Sequence, residues 1–182
     1  MTGCPAFEMI RRRYAQSFGA DLVPNFEVYR GHGTSPCKAA LGFRRASRQP
    51  LFLECYLDAP VEAVASALLN RPVARDSIVE IGNFAADHAL AMIALWGTVS
   101  NDLAQDCELA VATLTRPLRQ MFRRVGIQFH VLAPAQAHRL PPGFGHWGDY
   151  YSLAPQVCLG EIALAQQAIA GFLAPRRQGQ AA

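Results

Sequence analysis

The chain is 182 residues long, about half of them hydrophobic, and carries a formal net charge of +3 at pH 7. This length buries one sizeable core and is too short for two ordinary domains, so a single domain over 1–174 is expected, with a disordered tail, "PRRQGQAA", over 175–182. The basic side chains are nearly all Arg and lie scattered rather than in a block, which argues against a nucleic-acid partner.

Cys4, Cys37, Cys55, Cys107 and Cys158 are odd in number, far apart and without a C-x-x-C pair. Neither a disulfide framework nor a zinc site is expected, and the thiols suit a reducing cytoplasm. The first residues lack a basic and then apolar leader, and the next apolar stretch is broken by Arg11, Arg12 and Arg13, so no export signal is expected. The longest apolar run, around Leu90 to Trp96, ends in Asp or Asn on both sides, short of the roughly 20 residues of a spanning helix. A soluble cytoplasmic protein without stable membrane insertion is expected.

In chain order, Ile10, Tyr14 and Phe18 recur at helical spacing and predict a helix over Phe7 to Phe18, ended by Gly19. Strands are predicted over Phe26 to Arg30, Lys38 to Arg44 and Leu51 to Tyr56, the last two as antiparallel neighbours across "RASRQP". Asp58 as N-cap and Pro60 in the first turn open a helix carrying Val61, Val64, Leu68 and Leu69, which stops before Pro72. Ser77 to Phe84 reads as a strand, Asp87 to Ala104 as a helix with a bend at Gly97, and "CELAVAT" as a strand ending at Thr113. Thr115 and Pro117 open a helix closed by Arg123, Arg124 and Gly126. The strand "IQFHVLA", a short helix over Ala135 to Leu140, a loop from Pro141 to Tyr151, a strand over Gln156 to Ile162 and an Ala-rich helix come next. This order describes a mixed sheet with helices on both faces.

The stretches "ALGFRRA", "LFLECYLDAPVE", "RDSIVEIGNFA" and "HWGDYYSLAPQVCLGEI" together resemble the thermostable hemolysin family over about Tyr14 to Ile162. The element order also resembles the GNAT acyltransferase superfamily, and most its acyl-homoserine lactone synthase branch. That branch carries E-x-x-R-F where this chain has Glu80-Ile81-Gly82-Asn83-Phe84, and a basic residue ending an earlier strand, here Arg44. The resemblance implies a GNAT-like α/β fold, a mostly antiparallel central sheet flanked by helices on both faces. It also implies transfer of an acyl group to an amine, with no tightly bound cofactor. The superfamily's phosphate signature, R/Q-x-x-G-x-G/A, is absent: Ala85, Ala86, Asp87 and His88 stand there. A thioester on an acyl carrier protein, or an acyl-CoA held differently, is expected as co-substrate. Alternatives are a membrane-active hemolysin and a non-catalytic ligand-binding protein of the same fold.

Glu80 and Asn83 are the residues that an apolar strand does not need. In a GNAT-like sheet this strand splays from its neighbour, and Glu80 beside the opening reads as a general base with a raised pKa. The competing reading pairs it with Arg44 or Arg75 as a structural ion pair. Asn83 either holds a substrate carbonyl or caps the helix beginning at Asp87. Glu54 is an orienter, an alternative base, or an outward residue of a half-solvated strand, with Tyr56 on its face. Trp147, Tyr150 and Tyr151 are candidates for a substrate wall, alongside Arg44, Phe84 and Arg75, or a loop packed on the sheet. Thr113 and Thr115 read as capping residues and no metal site is expected.

Overall fold

Pro5, suited to a first helical turn, opens helix α1 (Pro5–Phe18), which buries Ala6, Met9, Ile10 and Tyr14 along one face. Gly19 ends it at φ +64°, a left-handed conformation open to glycine without steric cost. The structure, a computed structural model, describes residues 4–33 and 36–174; the tail expected at 175–182 lies outside them. Strands β1 (Val28–His32) and β2 (Ala39–Arg45) come next, then a 3₁₀ segment, Phe52–Tyr56, and helix α2 (Val61–Leu69). Strand β3 (Ile78–Ala86), helix α3 (Ala89–Leu103), strand β4 (Leu109–Leu114) and helix α4 (Arg116–Val125) form the middle. Strand β5 (His130–Pro134), strand β6 (Gln156–Glu161) and helix α5 (Ile162–Leu173) complete it.

The six strands lie in the order β1-β2-β3-β4-β6-β5, and every pairing is antiparallel except β3 with β4. Helices α3, α4 and α5 cover one face, where Leu41, Ile81 and Ala112 meet Trp96, Phe122 and Ile169. On the other face α2 and the 3₁₀ segment pack over Ile78, Leu109, Val111 and Leu159. There too α1 lies over Ala40 and Ala85. The mixed sheet with helices on both faces is therefore as the sequence implies.

The Leu51–Tyr56 stretch is not a strand. Its alternating apolar residues read as one, but β2 already has β1 and β3 on its two edges. The segment tightens into the 3₁₀ turn Phe52–Tyr56, burying Leu53 and Tyr56 against the sheet. Asp58 does not cap α2, whose N-cap position is Pro60; it pairs at the surface with Arg139, 2.8 Å away. The Ala135 to Leu140 helix shrinks to the turn Ala137–Arg139, and Gly148–Leu153 forms a further 3₁₀ turn in the expected loop. Helix α3 is continuous through Gly97, where a side chain would meet Ile169 Cγ2 at 3.2 Å, so this glycine serves the approach of α5.

Strand β3 is irregular along both of its edges. Opposite β2, Gly42 pairs with Gly82 and Ala40 with Ala85, so Asn83 and Phe84 face Leu41 alone: a β-bulge, with Asn83 at φ +54°. The extra residue inverts the alternation, placing Phe84 in the α3–α5 core although Glu80 and Gly82 look toward the other face. Beside β4, pairing runs only from Ile78–Leu109 to Ile81–Ala112. Beyond it β3 stays with β2 while β4 stays with β6, and the parallel neighbours part.

Candidate active site

Glu80 sits on β3 just before the strands separate, 2% exposed. Its Oε2 accepts from the Phe52 amide at 2.8 Å and its Oε1 from the Leu53 amide at 3.1 Å, so it fixes the start of the 3₁₀ turn. Arg44 Nε lies 3.2 Å from Oε2, making the ion pair that the sequence allowed with Arg44. The Arg44 guanidinium is buried too: it donates to the Asn25 carbonyl and lies 4.6 Å over the Phe26 ring. Burial pushes the Glu80 carboxyl up to about 7, with Arg44 and the two amides opposing that rise.

Arg75, the other expected partner of Glu80, is elsewhere. Its guanidinium grips both oxygens of Glu54, at 2.7 and 2.8 Å, and reaches Glu62 at 2.7 Å. Glu54 also accepts from the amides of Leu51 and Val61, joining the 3₁₀ turn to the first residue of α2. Arg75 beside it, with those amides, holds the Glu54 carboxyl down to about 2. The geometry of Glu54, Arg75 and Glu62 is that of a clamp, not of a group that takes up a proton at neutral pH.

Above Gly82 the chain leaves a cavity of about 30 Å³, walled among others by Glu80, Asn83, Asn25, Thr113, Trp147 and Tyr150. It has room for a single small group. Phe26 crosses it because two glycines let it in: a Cβ on Gly42 or Gly82 would stand 2.7 or 2.6 Å from the Phe26 ring. Asn83 does not cap α3; its amide nitrogen donates to Asn25 Oδ1 at 3.2 Å, and His88 is the cap, accepting from the Ala91 amide at 3.2 Å. The aromatic residues close the side opposite the sheet. Tyr56 and Tyr151 share a 2.6 Å hydrogen bond between hydroxyls, Trp147 stacks on Phe52 at 6.0 Å, and Tyr150 stacks on Tyr14 at 6.2 Å. Burial raises the Tyr14, Tyr56 and Tyr150 hydroxyls above the ordinary tyrosine value, so they stay protonated.

Tyr14 and Tyr150 also border a second space, a cleft of about 360 Å³ where β3 and β4 have parted. Phe84, Met92, Leu118, Met121 and Leu153 give it an apolar lining. Asp87 stands near its rim with Arg12 3.7 Å away.

The structure thus gathers Glu80, Asn83, Tyr56, Trp147 and Tyr150 at one cavity, with Arg44 behind Glu80, Tyr151 behind Tyr56 and Phe84 in the adjoining cleft. Glu54 and Arg75 lie outside it. The sequence reading missed Tyr14, Asn25, Phe26 and Phe52, and it took Thr113 for a capping residue. The glycines at 42 and 82 were the available signal for Phe26, since an isolated glycine inside a strand marks close approach by another group.

The family model described as thermostable hemolysin matches residues 5–166. No curated protein matches the chain. Among solved structures, the AHL synthase LasI aligns with a TM-score of 0.59 at 13% identity, over 92% of this chain and 87% of that one. FeeM, an N-acyl amino acid synthase from uncultured soil microbes, aligns with a TM-score of 0.58 at 14% identity, over 90% and 92%. The CoA-dependent acyl-homoserine lactone synthase BjaI, with SAM and isopentyl-CoA, aligns with a TM-score of 0.54 at 13% identity, over 82% and 67%. At these identities the likeness is one of fold: the GNAT-like architecture of acyl-homoserine lactone and N-acyl amino acid synthases.

Proposed function

The chain belongs to the thermostable hemolysin family, and from that premise we propose that it is a cytoplasmic N-acyltransferase that moves an acyl group from a thioester to an amine. One observation carries this reading: a polar cavity holding a carboxyl with a pKa near 7 adjoins an apolar cleft across a shared tyrosine stack. The small cavity suits an amino group and the cleft suits an acyl chain. The nitrogen lone pair attacks the thioester carbon, the nitrogen's proton passes to Glu80, the carbon–sulfur bond breaks with its electron pair on sulfur, and the departing thiolate takes up a proton from Glu80 or from water. A carboxylate offers about four lone-pair sites. The Phe52 and Leu53 amides engage one site on each oxygen and Arg44 lies at ion-pair distance from Oε2, which leaves a site on Oε1 free among the described residues for that proton. A base of pKa near 7 is matched to proton transfer at neutral pH. Arg44 holds Glu80 in place, Glu54 and Arg75 hold the turn that Glu80 grips, and Asn83, Tyr56, Trp147, Tyr150 and Tyr151 shape the acceptor side.

The structural neighbours are synthases of acylated homoserine lactones and amino acids, which favours an amino compound as acceptor. For the donor, the start of α3 speaks against diphosphate binding through helix amides: His88 already occupies the Ala91 amide, and Asp87 adds negative charge. An acyl carrier protein, or an acyl-CoA recognised mainly through its chain, fits better. The five free thiols suit a reducing compartment. No helix among the described residues is long and apolar enough to cross a membrane, and an acylated amphiphilic product would itself account for lysis of an overproducing cell.

The test is thiol release and acylated product from acetyl-CoA, octanoyl-CoA and octanoyl-carrier protein with a panel of free amino acids. Amine-dependent release, faster from either octanoyl donor than from acetyl-CoA, is expected. Turnover of acetyl-CoA equal to that of the octanoyl donors refutes the donor assignment, and no amine-dependent release from any donor refutes the reading.

A further inference from the structure

Thr113 is on β4 one step past the last residue paired with β3, where the two strands begin to part. Period-two alternation puts it on the same face as Val111, beside Gly82, and it lines the cavity that holds Glu80. Its hydroxyl oxygen is fully buried and has no hydrogen-bond partner among the described residues. A buried hydroxyl without a partner is a net cost to the folded state, and one at the wall of a cavity points to something the cavity receives.

We infer that Thr113 is the second contact for the acceptor nitrogen, that it works opposite Glu80, and that the pair selects primary amines. This rests on the acyl-transfer reading and names its acceptor class. A neutral primary amine carries two N–H bonds and one lone pair. One N–H donates to Glu80, which takes that proton as the new carbon–nitrogen bond forms and the sulfur departs as thiolate. The other donates to Thr113 Oγ1, and the lone pair is left directed across the Tyr14–Tyr150 stack toward the thioester carbon. A secondary amine has a single N–H to offer and an added carbon to place in about 30 Å³.

Hydroxylamine and N-methylhydroxylamine are small enough to serve as probes, with octanoyl-CoA or octanoyl-carrier protein as donor and thiol release as the readout. Wild-type protein should prefer hydroxylamine. Thr113→Val should raise its KM for hydroxylamine about tenfold with kcat little changed, as expected for one lost hydrogen bond. It should also narrow the preference over N-methylhydroxylamine, whereas Thr113→Ser keeps both values near wild type. Without substrate, Thr113→Val should melt about 2–4 °C higher, because an unpartnered hydroxyl has been removed from the interior. An unchanged KM and unchanged selectivity in an active Thr113→Val protein, with a lower melting temperature, overturns the inference and makes the hydroxyl structural. Wild-type protein that releases no thiol with either probe overturns the transferase reading itself.

Discussion

Replacing Glu80 with Gln keeps the length and shape of the side chain and removes its charge. In the native protein burial lifts the Glu80 carboxyl to about 7 from an ordinary value of 4.5. A folded-state pKa above the unfolded one means that the native chain holds the proton more tightly. That contribution to stability is complete below pH 4.5 and is lost as pH rises through 7. At about 1.4 kcal/mol per pH unit the loss across this window comes to about 3 kcal/mol. Gln cannot ionise, so its share of this slope should vanish. The amide brings its own cost: Phe52 and Leu53 both present N–H groups, Gln has one oxygen to offer, and the unmet amide costs about 1–3 kcal/mol. Glu80→Gln should therefore be the less stable protein at pH 5, by about 2–12 °C in melting temperature, and the gap should close by pH 8. Calorimetry at half-unit steps of pH measures this directly. Acyl transfer at neutral pH should fall by about 10² to 10⁴, the usual worth of a general base. A gap that instead widens with pH toward about 3–5 kcal/mol contradicts a Glu80 that gives up its proton near neutrality. That result would mean that Glu80 is ionised throughout and that its removal strands a buried Arg44.

The same geometry makes two further outcomes testable. Gly82→Ala places a Cβ 2.6 Å from Phe26 and should cost about 1–3 kcal/mol by overpacking; Gly82→Ala with Phe26→Ala should recover part of it in urea titrations, and a single variant as stable as wild type contradicts the contact. Purified protein should release no dye from liposomes at physiological ionic strength, and release that rises with protein dose would make the protein itself membrane-active.

Glu80 was legible because a carboxylate inside the apolar run from Ile78 to Ala86 has no packing reason to be there. Its partner was legible only as one of two arginines, Arg44 at the end of an earlier strand or Arg75, and it is Arg44 that reaches it. The role of "LFLECYL" was not, since short apolar runs read alike as strand and as buried turn. What decides the matter lies elsewhere in the chain: Glu80, 28 residues away from Phe52, supplies the acceptor that the turn's amides need. Asn83 left one clue to the bulge, being a residue that tolerates positive φ. Asn25 and Tyr14 left none, because a loop residue and a helix residue meet the cavity only through the way α1 and the β1 approach fold over the sheet.

The strand order also constrains how the molecule is made. Strand β6 lies between β4 and β5 and is their shared neighbour, though it is synthesised after both. Until it emerges from the ribosome, β5 has no place in the sheet and β4 offers a bare row of amides and carbonyls to any extended chain nearby. Thr113, which lines the cavity, also waits for its pairing partner Val157 on the same late strand. Stretches of messenger RNA that slow translation before β6 would lengthen this vulnerable interval, and chaperone demand during synthesis should peak there rather than earlier.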